Sequence, residues 1–208
     1  MNFSRSRWHS VRPNQLSNAQ LSPNGKRALF EYRGEIFSVP KKEGSWRNLS
    51  NSSKSAERSP VWSPKGDKIA WFSDKNGEYE LIVSDQFGKE LMNISIPDPT
   101  FYFKPQWSPD GNYLAFTDTH FNIIVLSLNS KSSKVIDTDL YAHPNRTMNP
   151  VWSPDSKWIA YSKQQRNHFK SIHVYNMITK TVLQITDPLA DAITPVWSQD
   201  GKFIYTLA

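Results

Sequence analysis

The feature that most constrains this chain is a short stretch that recurs along it. Residues 60–72 read PVWSPKGDKIAWF, related copies begin at Pro105, Pro150 and Pro195, and a weaker copy, AQLSPNGKRALF, begins at Ala19. The tryptophans of the four strong copies lie 45 residues apart: Trp62, Trp107, Trp152 and Trp197. A fixed period of this length indicates a repeat architecture, in which each repeat is one supersecondary unit.

Each repeat contains four short β-type runs separated by turn residues. In the second repeat these runs are PVWS, KIAWFS, YELIVSD and LMNISI. Helical periodicity is missing throughout, so helices should be scarce. Four antiparallel strands in a unit of about 40–45 residues are typical of a β-propeller blade. The sequence therefore predicts an all-β fold, a β-propeller of four-stranded blades.

The repeat spacing also predicts how the chain is divided. Residues 1–17 form an N-terminal flanking segment, and the propeller repeats occupy residues 18–208. Blades are expected near residues 18–55, 56–98, 99–140 and 141–188, with a partial blade at 189–208. Because about four and a half blades are present and propellers close into rings, we expect an incomplete ring and a longer parent protein.

The serine and acidic residues of the repeated stretch are explained by a turn that recurs in every copy. In the turn that begins at Ser108, Pro109 suits the second position of a type I turn, and Gly111 accepts a positive φ. The strand after each turn carries three successive apolar residues, such as Ile69, Ala70 and Trp71. Such a strand is predicted to be covered on both faces, as it is between stacked blades.

Composition excludes several classes of function. The net charge is +6, but lysine and arginine are scattered among acidic residues, which indicates a solvated surface and no nucleic-acid partner. No apolar run approaches the roughly 18 residues of a membrane helix. The N-terminus lacks the apolar core of a signal peptide, so we expect a cytoplasmic protein, with a periplasmic or secreted one as the alternative. Cysteine is absent, which excludes disulfides and thiol chemistry.

Catalytic and metal-binding patterns are not found. The five turn serines repeat, whereas a nucleophile has a unique neighbourhood, and no copy has the G-x-S-x-G frame of a nucleophile elbow. The histidines are His9, His120, His143, His168 and His173; they have no carboxylate at metal-ligand spacing and are interpreted as surface or loop residues. We therefore expect no catalytic residue, no metal and no cofactor in these residues.

A binding surface is the remaining candidate site. In a propeller, the segments that lead into the innermost strands lie at one mouth of the central channel. Basic residues there suit a carboxylate such as a peptide C-terminus, and aromatic residues suit apolar side chains. The alternative is that these are ordinary exposed loops. The candidate substrate-binding residues are Arg58, Tyr102, Lys104, His143 and Arg146.

Three segments carry a resemblance to a known family. They are SPNGKRALFEYRGEIFSVP, RNLSNS and AERSPVWSPKGDKIAWFSDKNGEYEL, which resemble the propeller repeats of tricorn-type serine proteases. The resemblance runs from about Arg12 to Ala208. The WSPDG element by itself is less specific, because TolB-like propellers and those of prolyl-oligopeptidase relatives carry it too.

The resemblance implies a modular parent protein. Its other parts are a PDZ-like domain and a catalytic domain, and its oligomer is built from identical copies. This segment is then a non-catalytic propeller that guides or filters peptides, while the parent is a serine-type peptidase. Two alternatives stay open: a TolB-like protein-binding propeller and the lid propeller of a prolyl-oligopeptidase relative. A peptidase assay of the segment and the residues encoded after Ala208 distinguish these hypotheses.

Overall fold

The protein is described by a computed structural model that covers residues 12–52, 54–142 and 148–207. These residues form eighteen β-strands and one 3₁₀-helix of three residues, Pro13–Gln15. The strands make four four-stranded sheets and one two-stranded sheet, all antiparallel and each built from strands that follow one another in the chain. The predicted all-β class is confirmed.

The strand bounds show one plan repeated along the chain. Sheet 1 contains β1 (Ser17–Leu21), β2 (Arg27–Tyr32), β3 (Glu35–Pro40) and β4 (Arg47–Asn48). Sheet 2 contains β5 (Glu57–Trp62), β6 (Lys68–Ser73), β7 (Glu80–Asp85) and β8 (Glu90–Ser95). Sheet 3 contains β9 (Tyr102–Trp107), β10 (Tyr113–Asp118), β11 (Asn122–Ser127) and β12 (Ser132–Thr138).

The remaining two sheets follow the same order. Sheet 4 contains β13 (Val151–Trp152), β14 (Trp158–Gln164), β15 (Lys170–Asn176) and β16 (Val182–Gln184). Sheet 5 contains β17 (Ile193–Trp197) and β18 (Ile204–Leu207). Within each sheet the chain runs outwards from the first strand to the last, as in the blade of a propeller.

The turn between the first and second strands holds its serine as a structural residue. In sheet 3 the N–H of Gly111 donates to the carbonyl of Ser108 at 2.8 Å, and Gly111 has a φ of 77°. The buried Ser108 hydroxyl donates to Asp110 and accepts the N–H of Tyr113 at 2.9 Å. The predicted turn is confirmed, and its serine is occupied by hydrogen bonds that close the turn.

The second strands of sheets 2, 3 and 4 are covered on both faces, as predicted. Ile69 and Ala70 are fully buried and Trp71 is 3% exposed, and the matching residues of β10 and β14 are fully buried. One residue of such a strand contacts the preceding sheet and the next residue contacts the following sheet. Trp71 belongs to the core between sheets 1 and 2, and its neighbour Phe72 belongs to the core between sheets 2 and 3.

The repeated tryptophans connect neighbouring sheets. The indole N–H of Trp107 donates to the carbonyl of Val61 in the sheet before it, at 3.4 Å. Trp152 and Trp197 make the same bond to Gln106 and Val151, both at 3.2 Å. The 45-residue period is therefore also the period of a hydrogen bond between sheets, which adds direction to apolar packing.

Candidate functional site

The first strands of the sheets lie nearest the axis about which the sheets are arranged. β5 contacts both β1 and β9, and β17 contacts β13, so these strands run beside one another from sheet to sheet. Side chains at the ends of these strands therefore approach each other from different sheets. The predicted mouth of the channel corresponds to the end at which β5 and β9 begin.

A distorted residue recurs in this inner layer. One non-glycine residue per repeat has a left-handed φ between 47° and 55°. In sheets 1, 2, 3 and 5 it lies within the first strand, immediately after a paired residue, and in sheet 4 it lies two residues before β13. In sheets 1, 2, 3 and 5 the strand register shifts at this point, which marks a β-bulge. No single residue type marks this position, so the repeats did not predict the bulge. The residues are Asn18, Ser59, Lys104, Asn149 and Thr194.

Four of these left-handed residues are linked across neighbouring sheets, either directly or through Glu31. The Lys104 ammonium donates to Oδ1 of Asn149 at 3.2 Å, and Asn18 donates its side-chain amide to Glu31 at 2.6 Å. Glu31 in turn accepts the N–H of Ser59 at 3.0 Å. The bulges therefore form a polar layer between neighbouring first strands, and the predicted residue Lys104 is part of that layer.

Arg58 lies in a small aromatic cluster at the start of β5 and β9. Its guanidinium carbon is 5.5 Å from the centre of the Phe101 ring, within cation–π range. Phe101 is 48% exposed and its ring is 5.3 Å from that of Tyr79. Partial burial raises the pKa of the Tyr79 hydroxyl, and the positive charge of Arg58 acts in the opposite direction. An exposed arginine held over an exposed ring can receive an anionic group beside an apolar one.

Tyr102 does not fit the predicted contact with a peptide. Its side chain is 3% exposed, and its ring lies 5.2 Å from Phe72 and 5.4 Å from Phe116. Tyr102 therefore packs sheet 2 against sheet 3. The exposed aromatic rings at this end are those of its neighbours, Phe101 and Phe103, which are 48% and 40% exposed. Strand alternation explains the difference, because adjacent side chains point to opposite sides.

The other predicted residues are divided between described and undescribed parts of the chain. Arg58 and Lys104 are exposed and belong to neighbouring first strands. His143 and Arg146 lie outside the described residues, so their roles stay predictions. Glu57, which precedes Arg58 in β5, is only 2% exposed. Three serine hydroxyls, two from the segment after β4 and one from the end of β6, enclose its carboxylate.

A buried polar cluster between sheets 3 and 4 was not anticipated. The Tyr161 hydroxyl donates to Oδ2 of Asp137 at 2.6 Å, and the Lys163 ammonium donates to Oδ1 of the same carboxylate at 2.6 Å. His173 stacks on Tyr161 with ring centres 5.9 Å apart and is 7% exposed, so its interpretation as a surface or loop residue was wrong. Burial raises the pKa of Tyr161 and lowers that of His173.

The described residues offer little for metal chemistry or membrane insertion. Within residues 12–52, 54–142 and 148–207, no three histidine or acidic side chains are grouped closely enough to hold a metal ion. The same part of the chain contains no helix that is long and apolar enough to cross a membrane. The turn aspartates Asp155 and Asp200 have a lowered pKa because serine hydroxyls donate to them, which is a structural role.

Comparison with solved structures defines the class of fold. A crystal structure of the tricorn protease superposes with a TM-score of 0.75 at 17% identity, covering 95% of this chain and 20% of that one. A putative TolB from Agrobacterium tumefaciens gives a TM-score of 0.63 at 19% identity, with 92% and 69% covered. TolB from Acinetobacter baumannii gives 0.56 at 20% identity, with 90% and 45% covered. The class is therefore the β-propeller.

The sequence identifies the family within that class. Residues 16–208 match the family described as the tricorn protease second beta propeller domain. The chain belongs to this family, in agreement with the resemblance seen in its repeats. A search of the curated proteins found no match. This chain corresponds to one fifth of the length of the tricorn protease chain to which it is similar.

Proposed function

We propose that this chain is the non-catalytic propeller segment of a tricorn-like serine protease and that it guides or filters peptides. The parent protein hydrolyses peptides through an acyl-enzyme in a separate catalytic domain. The propeller contributes an entrance that selects which peptides, or which products, pass. Family membership supports the assignment to a tricorn-like parent.

The observation that carries the guiding role is the position of Arg58 over Phe101. Both residues lie where neighbouring first strands begin, and the guanidinium carbon is 5.5 Å from the ring centre. A free peptide C-terminus needs a cation for its carboxylate, and its last side chain needs an apolar contact. Lys104, on the next first strand, adds positive charge to the same end.

The test is charge reversal at Arg58 in the full-length protein that contains this chain. Peptides are supplied in pairs that differ only in a free or an amidated C-terminus, and kcat/KM is measured for each. We expect Arg58→Glu to lower kcat/KM roughly tenfold for the free carboxylate and to leave the amide nearly unchanged. Equal effects on both peptides would reject the carboxylate site.

Arg47→Glu is the matched control for this experiment. Arg47 also lies over an exposed phenylalanine, with its guanidinium carbon 4.6 Å from the Phe87 ring centre. However, Arg47 is in β4, the fourth strand of sheet 1 and far from the first strands in strand order. The variant makes the same change of charge, so a similar loss of activity would show a general electrostatic effect rather than a channel mouth.

The similarity to TolB structures supports a second candidate, a non-enzymatic propeller that docks partner proteins. The coding sequence beyond Ala208 discriminates between the two. A PDZ-like region followed by a catalytic region with a serine nucleophile supports the protease, whereas closure of the ring without further domains supports the docking propeller.

A further inference from the structure

A pocket of about 300 Å³ lies between sheets 1 and 2. One side is formed by the segment that follows β4, including Ser52 and Ser55. The other side is formed by sheet 2, through Glu57, Trp71 and Ser73. The pocket therefore combines hydroxyl groups and a carboxylate with an aromatic wall, a composition suited to a small polar molecule that has an apolar part.

The carboxylate of Glu57 is half satisfied. Its Oε1 accepts hydrogen bonds from Ser52, Ser55 and Ser73 at 2.9, 2.8 and 3.0 Å. Its Oε2 is buried and has no hydrogen-bond partner among the described residues. Three donors on one oxygen position the side chain, whereas the second oxygen is left without a donor although the residue is 2% exposed. A buried carboxylate oxygen without a hydrogen-bond donor is costly, so this oxygen favours a donor from outside the described residues.

The matching place in the next interface contains no such pocket chemistry. Tyr102, 45 residues after Glu57, begins β9 as Glu57 begins β5, and its ring fills the space against Phe72 and Phe116. The carboxylate is therefore not required by the blade plan. Its serine partners Ser52, Ser55 and Ser73 are specific to this interface, which favours a role in binding over a role in the repeat fold.

The free groups of the pocket select the chemistry of the ligand. Ser52, Ser55 and Ser73 each use the hydroxyl hydrogen on Glu57, so each has only lone pairs left, and Ser73 already accepts the N–H of Lys75 at 3.2 Å. Oε2 of Glu57 is also an acceptor. A primary ammonium group has three donors and no acceptor, which complements this set. Trp71 and Ile82 line the same pocket and suit an alkyl chain or a cation against an aromatic face.

A divalent metal ion fits less well. Glu57 is the one carboxylate whose buried oxygen lacks a partner in the described part of the pocket, whereas Ca²⁺ takes six to eight oxygen ligands and several charges. Lys75 also lines the pocket, with its ammonium 4.0 Å from Glu90, so a cation already occupies the rim beside the second acidic residue. One buried negative charge matches one ammonium group.

We propose that the pocket between sheets 1 and 2 binds a protonated primary amine on a short apolar chain, with its ammonium group against the carboxylate of Glu57. The amine is supplied by a free small molecule, by a peptide N-terminus or by a lysine side chain. The site is formed within this chain and does not depend on the protease assignment.

Isothermal titration calorimetry with n-butylammonium chloride tests the proposal. The native protein is expected to bind it saturably, whereas n-butanol and sodium chloride at the same concentrations give no saturable heat. We expect Glu57→Gln to weaken binding roughly tenfold, because the charge-assisted hydrogen bond is lost and the side-chain shape is kept. Glu43→Gln, which removes a charge from an exposed residue outside the pocket, is expected to change the affinity less than about twofold.

The outcomes are distinct. Absence of saturable binding to the native protein, equal binding of n-butanol, or an unchanged affinity in Glu57→Gln would each overturn the site. The comparison of n-butylammonium with n-butanol uses only the native protein, so it holds even if Glu57→Gln fails to fold. Two further ligands identify the source: a C-terminally amidated tripeptide with a free N-terminus, and Nα-acetyl-lysine amide. Tighter binding of either one than of n-butylammonium assigns the amine to that source.

Discussion

Two neighbouring interfaces of the propeller have three equivalent positions, which are all aromatic in one interface and mostly acidic in the other. Between sheets 2 and 3 these positions hold the aromatic rings of Phe72, Tyr102 and Phe116, with centres 5.2 to 5.4 Å apart. Between sheets 1 and 2 the matching residues are Glu31, Glu57 and Trp71. Two rings of the aromatic interface are therefore replaced by carboxylates in the other.

The difference shows what the blade plan requires and what it leaves open. Aromatic pairs contribute roughly 0.5–1.5 kcal/mol each beyond their buried area. The interface between sheets 2 and 3 is therefore stabilised by dispersion and apolar burial. In the interface between sheets 1 and 2, Glu31 accepts hydrogen bonds from Asn18 and Ser59. Glu57 accepts hydrogen bonds from the hydroxyls of Ser52, Ser55 and Ser73. The shared framework of turns and second strands accommodates either set of residues. The interface between sheets 2 and 3 therefore contributes mainly to stability, whereas the interface between sheets 1 and 2 has room for a ligand.

The largest effect on stability is expected when an acidic residue is placed in the aromatic interface between sheets 2 and 3. Tyr102→Glu removes a ring from between Phe72 and Phe116 and leaves a carboxylate where no ring of serines surrounds it. We expect a loss of about 5 kcal/mol in the free energy of unfolding, from lost packing and an uncompensated buried charge. Urea denaturation followed by tryptophan fluorescence measures it.

Tyr102→Phe is the control for that variant, since it keeps the ring and removes only the hydroxyl, whose bond to the carbonyl of Asp98 is 3.4 Å long. A change under about 1 kcal/mol is expected. If Tyr102→Glu unfolds at the same urea concentration as Tyr102→Phe, the interface is more adaptable than its close ring contacts indicate.

The next largest effect is expected from truncating side chains at matched positions, which should destabilise the fold more in the interface between sheets 2 and 3 than in that between sheets 1 and 2. Phe72→Ala deletes a side chain that is 1% exposed and contacts two rings, so we expect a loss of about 3–5 kcal/mol. Glu31→Ala, at the same place one repeat earlier, removes the acceptor for Ser59 and Asn18 and is expected to cost about 1–2 kcal/mol. Equal costs, measured by urea denaturation, would contradict the division between a stabilising and a permissive interface.

The interface between sheets 3 and 4 offers an intermediate case. Tyr161→Phe keeps the ring of the residue that matches Trp71 and Phe116 but leaves Oδ2 of Asp137 without its donor at 2.6 Å. We expect a loss of about 1–3 kcal/mol, because the carboxylate stays partly buried beside Lys163. A thermal melt of the variant against the native chain detects the change, and an increase in stability would show that Asp137 is already satisfied by Lys163.

The smallest effect is expected from His173 in the same interface. Burial lowers its pKa in the folded state below the ordinary value of about 6.5, so the unfolded chain binds the proton more readily. Stability is therefore complete above pH 6.5 and decreases as the pH falls through the lowered folded pKa. His173→Phe is expected to remove that part of the pH dependence between pH 7 and 5, measured as the shift in urea midpoint. An unchanged slope would exclude His173 as its source.

The sequence predicted the features that repeat, because each copy supports the interpretation of the others. The turn at Ser108 and the double-sided burial of Ile69 to Trp71 follow from composition at fixed offsets, and both are present. The bounds of second strands such as β6 also followed, since turn residues separate the runs, whereas β5 and β9 begin three residues before the runs predicted from Pro60 and Pro105. Local chemistry that depends on the period was therefore accessible from the sequence alone.

The candidate site was less accessible, because its decisive contacts are made by residues that do not repeat. Glu57 is buried by serines from the segment after β4 and from the end of β6. The residues around Glu57 in the sequence, ERSP at 57–60, do not predict these contacts. Tyr102 and Phe101 are adjacent and similar, yet one is 3% and the other 48% exposed. His173 finds its partner Tyr161 on a neighbouring strand. Pairing across strands and sheets decides each case.

The left-handed residues of the inner layer have a consequence for how such a protein can change. A non-glycine residue in this conformation costs on the order of 1 kcal/mol, and glycine would avoid that cost. Yet all five positions carry side chains, of four kinds: asparagine, serine, lysine and threonine. Asparagine tolerates this conformation better than a β-branched residue such as threonine does, yet the same blade plan accommodates both. Because Lys104 bonds to Asn149, and Asn18 and Ser59 share Glu31, an exchange at one position also changes what its partner in the next sheet requires, so the chemistry around the axis changes in linked pairs.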